Sequence, residues 1–370
     1  MTEAARWHAQ AAEGGARAGW LDLPHGRVPT PAFMPVGTRA AVRAVDVADL
    51  RAVGTRIVLA NTYHLMLRPG AQVVADLGGL HRFMGWEGPI LTDSGGYQIL
   101  SLDPAIDEEG ATFRSTYDGS EVHLSPEGAV RIQEQLGPDI AMVLDVCLPL
   151  PSPRRALEEA MELTLRWAER SLASHTRADQ ALFGIVQGGV EPDLRAESAR
   201  RTAALGFAGY GIGGLSVGEP PEDRNAALAA TTAELPADRV RYVMGLGDAE
   251  GVLDAIGQGA DLFDCVWPTR LARHGRVLTP DGDYNLRRAQ FATDAAPLHA
   301  GCSCLTCRNH HRAYLRHLLM TGELAVHRLL TIHNLSYTLD LVAGARTAIL
   351  EGEFSRFREG VTRRRQAGGW

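Results

Sequence analysis

Three cysteines within six residues form the tightest group of reactive side chains in this chain. Cys302, Cys304 and Cys307 lie in the stretch GCSCLTC, a C-x-C-x2-C spacing. Clustered thiolates are typical of a metal site, and a tetrahedral Zn²⁺ ion requires a fourth nitrogen or sulfur ligand. The spacing therefore predicts a zinc site that lacks one ligand within the cysteine segment itself; the alternative is three free thiols.

Several histidines downstream are candidates for the fourth ligand. They are His310, His311, His317, His327 and His333. His310 and His311 follow Cys307 too closely to complete a tetrahedron. His333 comes after a predicted helix, RNHHRAYLRHLLMTG, so a helix hairpin can bring it back to the cysteines, and we choose it. Four protein ligands fill the tetrahedron, so the zinc is expected to be structural.

A closed metal site leaves no open position for chemistry, so the reactive groups must be sought elsewhere. Asp93, Asp145 and Asp264 each follow a short apolar run. Two opposed carboxylates suit substitution at an anomeric carbon, because one attacks C1′ or stabilises its charge while the other moves a proton. This pattern indicates glycosyl transfer or hydrolysis on a nucleoside-like substrate.

Other residues near the same predicted strand ends suit a flat, polar heterocycle. Tyr97, in TDSGGYQ, could stack on it. Gln187, Asp145 and the backbone of Gly214 and Leu215 could bind its edges. Any one of these residues could instead be a helix cap or a turn residue; their joint placement at strand ends favours a binding site.

The elements that must position these residues alternate between short apolar runs and longer runs with helical periodicity. The predicted strands are TRIVLA (55–60), GPILT (88–92), IAMVLD (140–145), LFGIVQ (182–187), GYGIG (209–213), VRYVMGL (240–246) and ADLFDC (260–265). The longest predicted helix begins after Ser152 as N-cap, with Pro153 in its first turn. Seven or eight strand–helix units predict a (β/α)8 barrel whose strand ends share one rim. Met244 closes one of these strands.

Composition narrows the class of protein. The chain has 370 residues, 45% of them hydrophobic, and a net charge of −7. It contains no lysine, which excludes a P-loop nucleotide site and a Schiff-base enzyme. Residues 265 to 317 carry eight Arg against three Asp and no Glu, a net charge of +5 in an otherwise acidic chain, which favours a nucleic-acid partner. Five cysteines, no signal peptide and no membrane span predict a cytoplasmic protein.

Nine sequence stretches together resemble one known family. They are PAFMPVGT (31–38), LANTYHLMLRPG (59–70), TDSGGYQ (92–98), GIVQGG (184–189), GGLSVGE (213–219), MGLG (244–247), FDCVWPTR (263–270), CSCLTC (302–307) and TIHNL (331–335). In this order they resemble the tRNA-guanine transglycosylases, also called queuine tRNA-ribosyltransferases. The resemblance covers residues from about 20 to 350 and implies a (β/α)8 barrel with a zinc subdomain, which we place at residues 271–337 within a single domain, 1–370.

The resemblance implies exchange of the wobble guanine in tRNAs with G-U-N anticodons. Asp264 resembles the nucleophile and Asp93 the general acid/base. The implied base-binding residues are Asp93, Tyr97, Asp145, Gln187, Gly214, Leu215 and Met244, and the implied zinc ligands are Cys302, Cys304, Cys307 and His333. Arg270 and Arg273 resemble arginines that contact the tRNA anticodon loop.

Two positions resemble the bacterial members of the family, which incorporate 7-aminomethyl-7-deazaguanine and form homodimers. These are Val217 and Cys147. Two other hypotheses remain open: a non-enzymatic tRNA-binding subunit, against which the presence of both Asp93 and Asp264 argues, and a hydrolase that transfers the ribosyl group to water.

Overall fold

The computed structural model describes residues 4–368 as sixteen strands and fifteen α-helices. The strands are β1 Arg6–Glu13, β2 Ala16–Leu23, β3 Gly26–Thr30, β4 Ala32–Gly37, β5 Val58–Ala60, β6 Ile90–Thr92, β7 Ala105–Ile106, β8 Ala111–Arg114, β9 Glu121–Leu124, β10 Ile140–Met142, β11 Ala181–Val186, β12 Gly209–Ile212, β13 Val240–Val243, β14 Leu262–Cys265, β15 Arg276–Val277 and β16 Tyr284–Asn285. The helices are α1 Val47–Ala52, α2 Thr62–Leu67, α3 Ala71–Asp76, α4 Gly79–Met84, α5 Gly96–Leu100, α6 Pro126–Leu136, α7 Arg154–Ser174, α8 Pro192–Ala204, α9 Pro221–Glu234, α10 Ala249–Gly257, α11 Trp267–Arg273, α12 Leu305–Asn309, α13 Arg312–Thr321, α14 Ala325–Glu351 and α15 Phe354–Ala367.

Eight parallel strands close into a barrel in the order β4–β5–β6–β10–β11–β12–β13–β14. The predicted barrel is confirmed, and each of the seven predicted strands is a barrel strand. The eighth, β4, was not predicted as a strand, because Pro31 directly precedes it and Pro35 interrupts its apolar pattern. The barrel strands β4, β11, β12 and β13 are buried along their whole length, as expected for parallel strands covered on both faces.

Helices surround the barrel, and the longest connecting helix begins slightly differently from the prediction. The N-cap of α7 is Pro153, not Ser152, and no side chain caps the helix. The Ser152 hydroxyl instead donates to the carbonyl of Pro149 at 2.6 Å, so it is held in the preceding turn. The predicted capping role of Ser152 is therefore wrong.

Three antiparallel sheets in residues 4–368, β1–β2–β3, β7–β8–β9 and the two-stranded β15–β16, were not predicted. The first lies across the amino ends of the barrel strands. Its Arg17 contacts Asp261, just before β14, and its β2–β3 turn places His25 against Asp139, just before β10. This sheet closes the end of the barrel opposite to the predicted site.

The chain between α11 and α14 builds a second, smaller core that includes Val277, Leu286, Leu298 and Leu315. Helix α14 joins it to the barrel. Asn334 on α14 accepts from the backbone N–H of Leu278 and donates to the carbonyls of Pro268 and Arg276. No helix within residues 4–368 is long and apolar enough to cross a membrane.

Candidate active site

A cavity of about 350 Å³ opens at the carboxyl ends of the barrel strands. Seven of the predicted site residues line it, namely Asp93, Tyr97, Asp145, Gly214, Leu215, Met244 and Asp264. They come from five different strand ends, as the barrel geometry requires. Gln187 is not among the lining residues. It lies behind Asp145 and donates a hydrogen bond to the Asp145 carboxylate, which lines the cavity. Tyr97 is 62% exposed at the mouth.

Asp93 follows β6 and is held by groups from the start of α2 and from α5. Its carboxylate accepts from the side-chain amide of Asn61 and, at 2.8 Å, from the backbone N–H of Thr62. Gln98 donates to it at 3.2 Å. Burial raises the pKa of Asp93 to about 6, against the opposing effect of these hydrogen bonds, and the negative charge of Asp264 adds to the rise. A carboxyl group with this pKa can both donate and accept a proton near neutrality.

Asp264 lies in β14 and is held through one oxygen. The Tyr242 hydroxyl donates to Oδ1 at 2.6 Å and the backbone N–H of Gly245 donates to the same atom at 2.8 Å. Burial raises the pKa of Asp264, and these two hydrogen bonds oppose the rise. Burial and the charge of Asp264 hold the pKa of Tyr242 well above its ordinary value, so its hydroxyl remains a donor. In the described part of the chain Oδ2 accepts no hydrogen bond, which leaves it available for attack.

Asp145 lies three residues beyond β10 and has no cationic partner within residues 4–368. Gln187 donates to its Oδ2 at 2.7 Å, and the hydroxyl of Ser94 lies 3.4 Å from its Oδ1. Burial raises its pKa to about 6. A ligand that donates hydrogen bonds would favour the ionised form, so this carboxylate is suited to a polar N–H edge.

The loop after β12 approaches the Gln187 side chain closely. A Cβ added at Gly214, whose φ is +67°, would lie 2.4 Å from Gln187 Oε1. Glu219 accepts from the backbone N–H groups of Ser216 and Val217. Because C=O and N–H point in opposite directions across a trans peptide, the Leu215 carbonyl faces away from Glu219, and Leu215 itself lines the cavity.

Arg195, which was not predicted as a site residue, is fully buried beneath this loop. Its Nε donates to the carbonyl of Gly189 at 2.6 Å and one terminal nitrogen donates to Val186 at 3.1 Å, while the other terminal nitrogen has no partner in the described structure. Burial lowers its pKa to about 10. It braces the two carbonyls that flank Gln187.

Other supporting residues were also missed. Asn61 and Tyr242, which hold the two catalytic candidates, both lie at or near strand ends, within the quoted stretches LANTYH and VRYVMGL. Their position at the ends of predicted strands, which indicated the aspartates, could have indicated these two residues as well. The local sequence does not tell which aspartate each of them contacts.

The four predicted metal ligands come together. The Nδ1 atom of His333 lies 3.6, 3.7 and 3.3 Å from the sulfurs of Cys302, Cys304 and Cys307, respectively. Tetrahedral Zn²⁺ with ordinary bond lengths would separate a nitrogen and a sulfur ligand by about 3.6 Å. The Nε2 atom of His333 must carry hydrogen because it donates to the Leu278 carbonyl at 3.0 Å, which leaves Nδ1 free to bind a metal. These residues could therefore hold a metal ion, and nitrogen–sulfur chemistry suits zinc.

Arg270 and Arg273 lie on α11, directly after Asp264 in the chain. Arg270 is exposed, and Arg273 is half-buried with one nitrogen on the Thr269 carbonyl at 3.0 Å. Burial lowers the pKa of Arg273, and the positive charges of Arg43 and Arg270 lower it further. The side of the cavity mouth next to β14 is thus positively charged.

A (β/α)8 barrel with three carboxyl groups around one cavity at its carboxyl-end rim, and a separate group of three cysteines and one histidine, has the architecture of a barrel enzyme. The family model for queuine tRNA-ribosyltransferase matches residues 12–367. The chain is 52% identical to a queuine tRNA-ribosyltransferase of Herpetosiphon aurantiacus over 347 residues, covering 93% of this chain and 88% of that protein. It is 51% identical to one of Thermus thermophilus over 362 residues, covering 97% and 94%. The chain therefore belongs to the queuine tRNA-ribosyltransferase family and is a pentosyltransferase.

Proposed function

We propose that this enzyme exchanges the wobble guanine of tRNAs with G-U-N anticodons, those for Asp, Asn, His and Tyr, for 7-aminomethyl-7-deazaguanine. This is a step of queuosine biosynthesis. The single observation that carries the proposal is the pair Asp93 and Asp264, two half-buried carboxyl groups in one cavity with different hydrogen-bond surroundings. Family membership supports the same reaction class.

In the first half-reaction, Oδ2 of Asp264 attacks the ribose C1′ while the C1′–N9 bond to guanine breaks. The free oxygen attacks because Oδ1 is occupied by Tyr242 and Gly245. Asp93 gives its proton to the departing base, for which a pKa of about 6 is suitable. The product is a ribosyl-aspartate ester and free guanine.

In the second half-reaction, the incoming base binds in the same cavity and Asp93 removes its N9 proton. N9 then attacks C1′ and displaces the Asp264 carboxylate, so protons and bonds balance over the cycle. Asp145, Gln187, Gly214 and Leu215 would bind the polar edges of the base. Tyr97 and Met244 would cover its two faces.

The incoming base should carry a cationic substituent. The aminomethyl group is an ammonium ion near neutrality and needs an acceptor, which the Leu215 carbonyl provides while Glu219 holds the opposite end of that peptide. Val217 narrows the space beside this peptide, so the larger cyclopentenediol of queuine should clash. This supports the bacterial type of substrate.

The direct experiment is base exchange on defined tRNA. A tRNA-Asp transcript that carries a labelled guanine at position 34 should lose this label in the presence of enzyme and 7-aminomethyl-7-deazaguanine. Mass spectrometry should show the new base at that position. A transcript with adenine at position 34 is the matched control. Release of guanine without incorporation would instead establish a hydrolase, and tight binding without either would establish a non-enzymatic subunit.

We also propose that the Cys302, Cys304, Cys307 and His333 group holds structural zinc and stabilises the subdomain at residues 271–337. Cys304→Ala should lower the zinc content and destabilise this region, whereas Cys265→Ala, outside the cluster, should retain one zinc per chain. Full zinc content in Cys304→Ala would disprove the ligand set. A homodimer and a cytoplasmic location are further proposals from the family resemblance, and sedimentation analysis tests the first.

A further inference from the structure

Two arginines pack against one tyrosine ring beside the cavity mouth. The guanidinium carbons of Arg39 and Arg68 lie 5.3 and 5.0 Å from the ring centroid of Tyr117. The Tyr117 hydroxyl lies 3.1 Å from Nδ1 of His64, and His64 lines the cavity. The three residues Arg39, Arg68 and Tyr117, called here the arginine–tyrosine clamp, therefore adjoin the place where the base binds.

Three separate connections of the barrel supply the clamp. Arg39 follows β4, and Arg68 ends α2 after β5. Tyr117 lies between β8 and β9, in a loop fixed to α2 by a 3.0 Å contact between the hydroxyls of Tyr63 and Thr116. The tyrosine ring thus provides a fixed surface on which two flexible side chains rest, which reduces the freedom that each arginine would lose on binding a ligand.

The charge of the clamp is not neutralised by a salt bridge within the described residues. Exposed arginines on the outer helices, such as Arg154, Arg166 and Arg200, each contact a carboxylate. Arg39 and Arg68 contact none in residues 4–368, although Asp118 is near enough to be influenced by Arg68.

The clamp continues a row of positive charge along the rim. Arg43 repels the charged forms of both His64, which contacts Tyr117 of the clamp, and Arg273 on α11, so it is close to both groups. The row runs across the connections that follow β14, β4 and β5, which are neighbours in the barrel. A strip of unpaired arginines beside a cavity fits a polyanion that crosses the rim.

We propose that Arg39 and Arg68, oriented by Tyr117, bind one backbone phosphate of the substrate RNA next to the nucleotide that enters the cavity. The inference rests on the proposed function. The guanidinium fork matches phosphate oxygens, and a phosphate contact positions the strand without reading its sequence.

The test uses the full-length holoenzyme and measures tRNA dissociation constants over a series of KCl concentrations. Arg39→Gln/Arg68→Gln should weaken binding about tenfold and reduce the slope of log Kd against log [KCl] by about 0.7 to 1, as expected for the loss of one phosphate contact. Arg131→Gln is the matched control, because Arg131 is exposed on α6 and has no ion pair within residues 4–368. It should change neither quantity.

The tyrosine gives a second, graded readout. Tyr117→Phe keeps the ring and should bind tRNA like the wild type, whereas Tyr117→Ala should lose part of the affinity. Binding of free guanine should be unchanged in Arg39→Gln/Arg68→Gln and in Arg131→Gln, because none of these arginines lines the cavity.

The outcomes separate this inference from the proposed function. If the wild type exchanges guanine in tRNA but the double variant keeps the wild-type affinity and salt slope, the clamp does not bind phosphate and the proposed function stands. Weaker binding with an unchanged salt slope would also overturn the inference, because the lost contact would not be ionic. Absence of exchange by the wild type would refute the proposed function itself.

Discussion

Strand β10 has a buried aspartate near each end, and the two surroundings differ in kind. Asp139, just before the strand, accepts from the backbone N–H groups of His25 and Ile90 and contacts both imidazoles of His25 and His81 at 3.0 Å. Although burial opposes it, these hydrogen bonds lower the pKa of Asp139 below its ordinary value. Asp145, beyond the other end, has an amide and a hydroxyl as partners, and its pKa is raised to about 6.

These two surroundings distinguish a carboxylate that stabilises the fold, Asp139, from one that is suited to bind a ligand, Asp145. At the amino end of the barrel every oxygen of Asp139 is occupied, and the residue ties a sheet turn and α4 to two barrel strands. The stacked rings of His25 and His81, with centroids 3.5 Å apart and an interplanar angle of 15°, cannot direct their lone pairs to one metal ion without rotating, so hydrogen bonding explains this group better than metal binding. At the carboxyl end, Asp145 has only the neutral side chains of Gln187 and Ser94 as partners, which suits the ligand-binding role proposed for it.

The largest effect should come from the carboxylate assigned to covalent chemistry. Asp264→Ala should lower kcat by about 10⁴-fold or more, because no other group supplies the attacking oxygen. Asp264→Asn should still bind tRNA nearly normally, since phosphate contacts supply most of the affinity. The measurement is a denaturing gel for the tRNA–protein adduct together with label exchange. An adduct that persists in Asp264→Ala would remove this residue from the nucleophile role.

The next largest effect should be a loss of stability when Asp139, at the amino end of β10, is replaced. Asp139→Asn should lower the free energy of unfolding at pH 7 by about 2 to 4 kcal/mol, because an amide cannot accept all the hydrogen bonds that the carboxylate accepts. Since the folded-state pKa is lowered, the contribution of Asp139 is present above its ordinary pKa near 4 and is lost as the pH falls through the lower folded value. Urea titrations at several pH values test this. Equal stability of variant and wild type at pH 7 would contradict the assigned role.

Substitution of the aspartate beyond the carboxyl end of β10 should change the free energy of unfolding in the opposite direction. Asp145→Asn should raise the free energy of unfolding at pH 7.5 by about 2 to 3 kcal/mol, because it removes a buried charge, while it weakens binding of the base. The folded-state pKa of Asp145 is raised, so the favourable contribution of its neutral form is present below pH 4 and lost as the pH rises through about 6. The increase in the free energy of unfolding of Asp145→Asn over the wild type should therefore appear between pH 4 and pH 7. A variant that is destabilised at pH 7.5 would show that Asp145 resembles Asp139 after all.

The smallest effect should be a change in base preference when Val217, at the wall of the cavity, is replaced. Val217→Gly should improve the use of queuine by about tenfold relative to 7-aminomethyl-7-deazaguanine, because the branched side chain no longer narrows the space beside the Leu215 peptide. Competition between the two bases in the exchange assay measures the ratio. If the wild type already incorporates queuine as well as the aminomethyl base, the steric argument and the bacterial assignment of the cavity both fail.

The sequence alone determined the barrel and the grouping of its acidic residues. Strand–helix alternation imposes parallel strands, and parallel strands bring their carboxyl ends to one rim, so Asp93, Asp145 and Asp264 had to converge. The spacing of the cysteines likewise indicates a metal site through residue type and separation alone. Strand β4 was not predicted, because Pro35 interrupts its apolar pattern, although the strand is paired on both sides in the closed barrel.

The tertiary structure decided which partner each group meets. The contact of Tyr242 with Asp264 and the packing of Arg39 and Arg68 on Tyr117 each join residues from separate strands or loops. Periodicity encodes which face of an element is buried, but it carries no information about the neighbour across a closed barrel or about loops without a repeating pattern. For this reason the candidate reactive residues can be proposed from the sequence, while the direction of their pKa shifts and the packing of the clamp beside them follow from the fold.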